Sequence, residues 1–382
     1  MSLSAQWRKQ CMVRTDLEFL NAGTLGPTLR CAFDAAHDAL TRWMTDAPGA
    51  SLDLRSARGY LNMMEEQDKC RRVVADWLGV APDSVALLGN ATDGINAALH
   101  SIQWQPGDRI VTTNEEHEAL RQPLERLQHR YGVAVDVVPF PQTDAEVARF
   151  GDDLNSKLTD RTRLVALSEV SHATGVRVSV PDIATTLAAF PQVWLLVDGS
   201  HAAGTSEELI QPRVDFYVFP AHKWLFGPVE TGVLWVSQRA LQRTSPLLAG
   251  APMMSAEGVR FDDDAGAWRY EYGTRDWSKL VGLSVAIRFR QQWPEAVLVD
   301  HYATLGAAFA QGFEFASGRR LTGVAPLYSV ATVNSNAIAN DLWEQHRVLV
   351  KPQANNIRIS IPPWLEPDRA RELGRLLGHV VR

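Results

Sequence analysis

The chain has 382 residues, 46% of them hydrophobic and 21% charged, with 38 basic against 44 acidic side chains for a formal net charge of −6. That composition excludes general disorder and fits a soluble globular protein whose length suits two domains. A mildly acidic chain without a Lys/Arg block excludes an electrostatic footprint for nucleic acid or an anionic membrane. The three cysteines, Cys11, Cys31 and Cys70, form no CxxC pair. With no signal-type h-region in MSLSAQWRKQ and no membrane-length apolar run, the expected location is the cytoplasm, with reduced thiols.

In chain order, short β-rich runs alternate with helical stretches. The strand candidates are 85–88 (VALL), 109–113 (RIVTT), 133–138 (VAVDVV), 163–170 (RLVALSEV), 193–198 (VWLLVD), 215–219 (DFYVF) and 232–237 (GVLWVS). Several are apolar at consecutive positions, as strands covered on both faces are. Amphipathic stretches follow the first, second and fourth: GINAALHSI (94–102), EALRQPLERLQHRYG (118–132) and VPDIATTLAAF (180–190). This alternation predicts an α/β domain with a largely parallel sheet. The last two strands are too close for a crossover helix, which predicts an antiparallel neighbour there. Residues 245–276, with the acidic triplet Asp262–Asp264, read as irregular connection. A long amphipathic helix is expected over 276–293, followed from about Pro294 by a smaller α/β unit with β runs at 329–333 and 357–361.

Ligands of open α/β sheets collect beyond the carboxyl ends of the strands, so polar residues just after a strand carry the functional reading. Lys223, one of six lysines in the chain, follows an apolar strand within DFYVFPAHKWLFGP, beside His222, Trp224 and Phe226. Desolvation there favours the neutral amine that a Schiff base requires. Asp198 ends another strand in VWLLVDGSHAAG, among small residues that leave room for a ligand. Gly89-Asn90-Ala91-Thr92 leads from a strand into a helix, whose first N–H groups attract phosphate. His117, in TTNEEHEAL, is placed to stack on an aromatic ligand. Each has a plainer alternative: a snorkelling lysine, a helix-capping aspartate, a simple N-cap and a surface histidine. Together they supply what pyridoxal phosphate needs: a lysine for its aldehyde, a carboxylate for its ring nitrogen, a phosphate cradle and a stacking ring.

With these residues in this order, the chain resembles the class V aminotransferases, fold-type-I pyridoxal-phosphate enzymes that include cysteine desulfurases and isopenicillin N epimerase-like proteins. The resemblance runs from LNAGTLGP near the start to NNIRIS near the end. It implies a large domain with a mostly parallel seven-stranded sheet and a smaller C-terminal α/β domain. The corresponding division is an N-terminal segment (1–20), a large cofactor-binding domain (21–250), and a linker, long helix and small domain (251–382). It further implies Lys223 as the Schiff-base lysine, Asp198 at the ring nitrogen, and His117 stacked on the ring. Ala91, Thr92 and His222 would meet the phosphate. His201 stands where the family often has Gln, and His172 where many members have Asn. Thr274, in YEYGTRDW, would reach the phosphate of a second subunit, implying a homodimer. Arg358 would grip the substrate carboxylate, with Asn21 beside it.

Two departures matter. Pro220 stands two residues before His222, where the family often carries a phosphate-binding serine. Residues 71–382 contain no cysteine, whereas desulfurases use one on a C-terminal loop. The expected function is therefore a PLP-dependent enzyme of α-amino acids, with transamination placed first and epimerisation or C–S lysis as the alternative. A non-catalytic relative binding the cofactor or an amino sugar is the reading from another class. The substrate wall is expected to include part of 42–62, with Trp43, Arg55 and Arg58.

Overall fold

The computed structural model describes residues 1–45, 54–248, 250, 253–255, 258–260 and 266–381, without the side chains of 54–63 and 253–260. The expected runs form one seven-stranded sheet. Its strands are β1 (Val85–Leu88), β2 (Arg109–Thr113), β3 (Ala134–Val138), β4 (Thr162–Ser168), β5 (Trp194–Asp198), β6 (Phe216–Pro220) and β7 (Gly232–Val236). Their order across the sheet is β1-β7-β6-β5-β4-β2-β3. From β6 to β3 every pairing is parallel, while β7 runs antiparallel to both β1 and β6. The short β6–β7 connection dictates this, because it has no room for a crossover helix.

Helices cover both faces, so β1, β5 and β6 are buried at every position. Alternate residues serve opposite cores: Leu195 and Val197 join one hydrophobic cluster, Trp194 and Leu196 the other. The helices before and within this unit are α1 (Leu3–Gln10), α2 (Arg30–Thr45), α3 (Leu54–Leu78), α4 (Ala91–Ser101), α5 (Glu118–Tyr131), α6 (Asp144–Asn155), α7 (Val180–Thr186) and α8 (Gln238–Arg243). Local signals explain several ends. Thr143 and Glu146 form a reciprocal capping box on α6, and α5 stops at Gly132 in the left-handed conformation.

The expected helix over 276–293 forms as α9 (Ser278–Arg290) but is not amphipathic. Leu280, Leu283, Ala286, Ile287 and Phe289 are all buried, together with Ser278, Ser284 and Arg290. It is packed by α2 and α3 as well as by the core, which leaves a narrow stripe at Val281, Val285 and Arg288 toward solvent. Beyond it lie α10 (Glu295–Ser317), α11 (Ser335–His346), α12 (Pro367–Val380) and an antiparallel sheet. That sheet contains β8 (Thr322–Val324), β9 (Leu327–Ala331), β10 (Lys351–Pro352) and β11 (Asn356–Ser360), in the order β8-β9-β11-β10. Phe309 and Phe313 of α10 share a core with Leu373 and Leu377 of α12.

The start of the chain is woven into this later unit. Glu18 and Phe19 pair in parallel with Val348 and Leu349, and Asn21 bridges to Ser360. Trp7 of α1 is fully buried, edge-on to Phe226 at 5.5 Å and to Phe289 at 5.0 Å. The stretch read as irregular contains a short antiparallel pair, Met253–Ser255 with Gly258–Arg260, and a 3-10 turn at Ala267–Tyr270. The triplet Asp262–Asp264 lies outside the described residues. Among the described residues, no helix is long and apolar enough to cross a membrane.

The loop after that turn is tied to β1 by buried charge. Glu271 accepts the Leu87 N–H at 2.7 Å and hydrogen bonds from Arg71 and Gln67, while Arg275 donates to the Leu87 carbonyl at 2.9 Å. Removing Glu271 would leave the buried Arg71 with the Val85 carbonyl and a longer, 3.7 Å contact to Asp68 in place of its close carboxylate. Glu271→Ala should therefore cost about 3–5 kcal/mol, read as a lower denaturant midpoint in equilibrium unfolding.

Candidate active site

Strand register builds the site. Ser168 ends β4 beside Asp198 at the end of β5, and Asp198 pairs in turn with Val218 of β6. These carboxyl ends open on a cavity of about 410 Å³ that reaches across to Arg358 on β11. Small-molecule sites fall in the same size range, about 300–1,000 Å³.

Lys223 lies in the turn just past β6, as expected. Burial pushes its amine down to about 8, against the opposing pull of Asp198. The turn is fixed from the other side by the N-terminal loop: Gly26 N–H donates to the His222 carbonyl at 2.8 Å. A Cβ on Gly26 would meet the Lys223 carbonyl at 2.1 Å, so only glycine permits that approach. Gly199 has the same role after Asp198, since a Cβ there would sit 2.3 Å from the Tyr217 ring. Asp198 is buried and accepts the Ser200 N–H at 2.9 Å.

His201 sits between the lysine and the core. The Trp224 indole N–H donates to its Nδ1 at 3.3 Å, and Lys223 Nζ stands 3.5 Å from its Nε2. An indole is only a donor, so Nδ1 must accept and the neutral ring carries its proton on Nε2. Burial holds this histidine well below the ordinary value, hence neutral. His172 is pushed down to about 4 by burial, and His117 and His222 are lowered for the same first reason. The His117 and His172 rings meet edge to face at 5.0 Å. His117 also caps α5, its Nδ1 accepting the Ala119 N–H at 3.1 Å.

Asn90 caps α4 by accepting the Asp93 N–H at 2.8 Å. The N–H groups of Ala91 and Thr92 are left without intrahelical partners, at a cavity that both residues line. Pro220 lines it too. Arg358 donates to the His172 carbonyl at 3.0 Å and to Thr24 Oγ1 at 2.5 Å, and Thr24 donates to Asn21 Oδ1 at 2.7 Å. Asn21 is thus one residue removed from the cavity, orienting Thr24. Thr274 is exposed on the loop before α9 and does not line the cavity. Trp43 packs against the large core, and the side chains of Arg55 and Arg58 lie outside the described residues.

Sequence reasoning missed Thr24, Glu115, Glu116, Ser168 and Lys351. Glu116 accepts from the Ser168 N–H at 2.9 Å, the Ser168 hydroxyl at 2.6 Å and the Thr113 hydroxyl at 2.6 Å; burial raises its carboxyl to about 7. Glu115 accepts from Ser171 and Thr174 and so holds the loop that carries His172. The acidic doublet before His117 was the available signal.

Three buried nitrogens are open to a ligand. Nε of Arg358 is a donor, and Nδ1 of His222 and of His172 donates or accepts according to the ring tautomer; none has a hydrogen-bond partner among the described residues. With two open helix N–H groups, a lysine amine and a buried carboxylate, this donor set fits pyridoxal phosphate. No cysteine lines the cavity, and all three thiols of the chain are free and lie elsewhere.

Residues 34–349 match the family described as aminotransferase class-V. Among curated proteins, the chain is similar to a cysteine desulfurase of Enterobacter sp. (strain 638), 31% identical over 63% of this chain and 60% of that protein. It is similar to a probable cysteine desulfurase of Pseudomonas aeruginosa, 30% identical over 67% of this chain and 64% of that protein. The match thus spans less than two thirds of these relatives' length. Among solved structures, one of C-DES with glycine covalently linked to its PLP cofactor superposes with a TM-score of 0.86, 22% identity, and coverage of 97% of this chain and 98% of that one. The apo cysteine desulfurase of Thermococcus onnurineus NA1 superposes at 0.83, with 20% identity over 100% and 98% of the two chains. These likenesses carry the fold-type-I architecture, and the family match carries the rest: the chain belongs to the class-V aminotransferase family of pyridoxal-phosphate enzymes.

Proposed function

We propose that this protein is a PLP-dependent C–S lyase, cleaving the Cβ–S bond of an α-amino acid without a thiol of its own. The observation that carries this reading is a cavity equipped for the cofactor and for an amino-acid carboxylate, yet lined by no cysteine. The desulfurase names of the relatives, and the description of C-DES as a cystine C-S lyase, favour sulfur chemistry over the transamination that the sequence placed first. The balanced reaction consumes water: a sulfur-substituted cysteine gives a thiol, pyruvate and ammonium.

Lys223 would hold the cofactor covalently, Asp198 would pair with its ring nitrogen, and His117 would stack on the ring. Ala91, Thr92 and His222 would take the phosphate in place of the serine lost at Pro220. His201 Nε2–H and His172 would sit by the ring hydroxyl. Bound pyridoxal phosphate supplies a conjugated electron sink that acidifies the Cα–H of an attached amino acid. Arg358, backed by Thr24 and Asn21, would fix the substrate α-carboxylate. Lys223, neutral at Nζ above about pH 8, would then take the Cα proton. We also read Thr274 as completing the phosphate site of a second subunit, the chain as dividing into 1–20, 21–250 and 251–382, and the free thiols as fitting a cytoplasmic location.

Incubation with sulfur-substituted cysteines should release pyruvate and ammonia in equal amounts without any 2-oxo-acid acceptor; amino transfer that requires such an acceptor refutes the lyase reading. Lys223→Ala should slow turnover by about 10²–10⁴-fold. Arg358→Gln should lower kcat/KM about ten- to hundredfold, mainly through KM, as loss of a charge-assisted hydrogen bond implies. In cofactor-free protein, the rate at which Lys223 captures an aldehyde should rise as pH climbs through about 8 and then level, because only the neutral amine reacts. Asp198→Asn should move that midpoint lower, since the carboxylate favours the ammonium form.

A further inference from the structure

The substrate end of the cavity holds a charge that the reading above does not use. Lys351 lines it, as does Arg358. The two are direct partners across the antiparallel β10–β11 ladder, so their side chains leave the sheet on the same face, with Cβ atoms about 5 Å apart. Like charges placed opposite each other destabilise a ladder. Among the described residues neither has a carboxylate partner, and both guanidinium hydrogen bonds of Arg358 go to uncharged oxygens. Arg358 is buried, and its Nε has no partner. The two acids that line the cavity, Asp198 and Glu118, come from the large sheet's side, as does the third cation, Lys223. A paired positive charge at the small-sheet wall therefore awaits two negative groups, and an α-carboxylate accounts for one.

We propose that Lys351 binds a second anionic group at the far end of the substrate. The substrate class is then an α-amino acid whose sulfur-linked arm ends in a carboxylate, with Arg358 on the near carboxylate and Lys351 on the far one. The sulfur link rests on the lyase reading; the demand for two carboxylates rests on the cross-strand pair. Lys351 is exposed at the mouth, which suits a group that enters last, and a flexible ammonium tolerates arms of differing length.

The test uses the holoenzyme and two ligands without sulfur, so neither can be cleaved at a C–S bond. L,L-2,7-diaminosuberate carries a distal carboxylate; L-2,7-diaminoheptanoate is the same chain without it. Calorimetric titration should show the dicarboxylate binding about tenfold more tightly. Lys351→Met should bring the ratio of the two dissociation constants close to one, and Lys351→Arg should retain the preference. Equal binding by the parent enzyme, or a preference that survives Lys351→Met, overturns the assignment. Because this readout needs no turnover, it stands or falls separately from pyruvate release: a preference without C–S cleavage sinks only the lyase reading, and cleavage without a preference sinks only the role of Lys351.

Discussion

The site depends on one constraint, the register of three parallel strands. β4, β5 and β6 are aligned so that Ser168, Asp198 and the turn after Pro220 arrive together at one sheet edge. Side chains alternate across a strand, so a slip of one residue would turn Asp198 out of the site and carry Leu196 and Val197 into the wrong cores. The register is held from both faces by distinct apolar clusters, and the packing of the sheet thereby sets the distance between the carboxylate and the lysine.

Burial then sets the protonation states. Each histidine at the cavity is shifted toward its neutral form, with desolvation the first cause. Lysine and arginine are lowered in the same way but keep enough charge to face anions. The result is a wall of neutral ring donors and acceptors among a few cations. Such a wall can hydrogen-bond a phosphate and a carboxylate without repelling the amine of an incoming amino acid. The Trp224 indole carries this logic furthest, since its donor-only N–H selects the His201 tautomer that presents Nε2–H toward Lys223.

Much of the fold was legible because the strands are short, consecutive apolar runs. The seven runs, the antiparallel last strand and the β segments near 329 and 357 all follow from periodicity and spacing. α9 misled because its polar positions, Ser278, Ser284 and Arg290, are buried by tertiary packing that periodicity does not contain. The N-terminal segment escaped for a related reason: α1 and residues 18–21 owe their place to Phe226, Phe289 and the strand at Val348–Leu349, all distant in sequence. Thr24 and Lys351 carried no local signal beyond their polarity, whereas Glu116 stood in the acidic doublet before His117.

By itself the sequence determined residue types, their order and the chemistry of each turn, because capping, strand ends and small-residue gaps are local. It also determined that all three cysteines lie within the first 70 residues. Only the tertiary structure decided which distant residues share a cavity: Arg358 and Lys351 face Lys223 from a separate sheet, and Asn21 is linked to Arg358 through Thr24. It likewise decided which groups are neutral, since desolvation belongs to the assembled interior and to no segment alone.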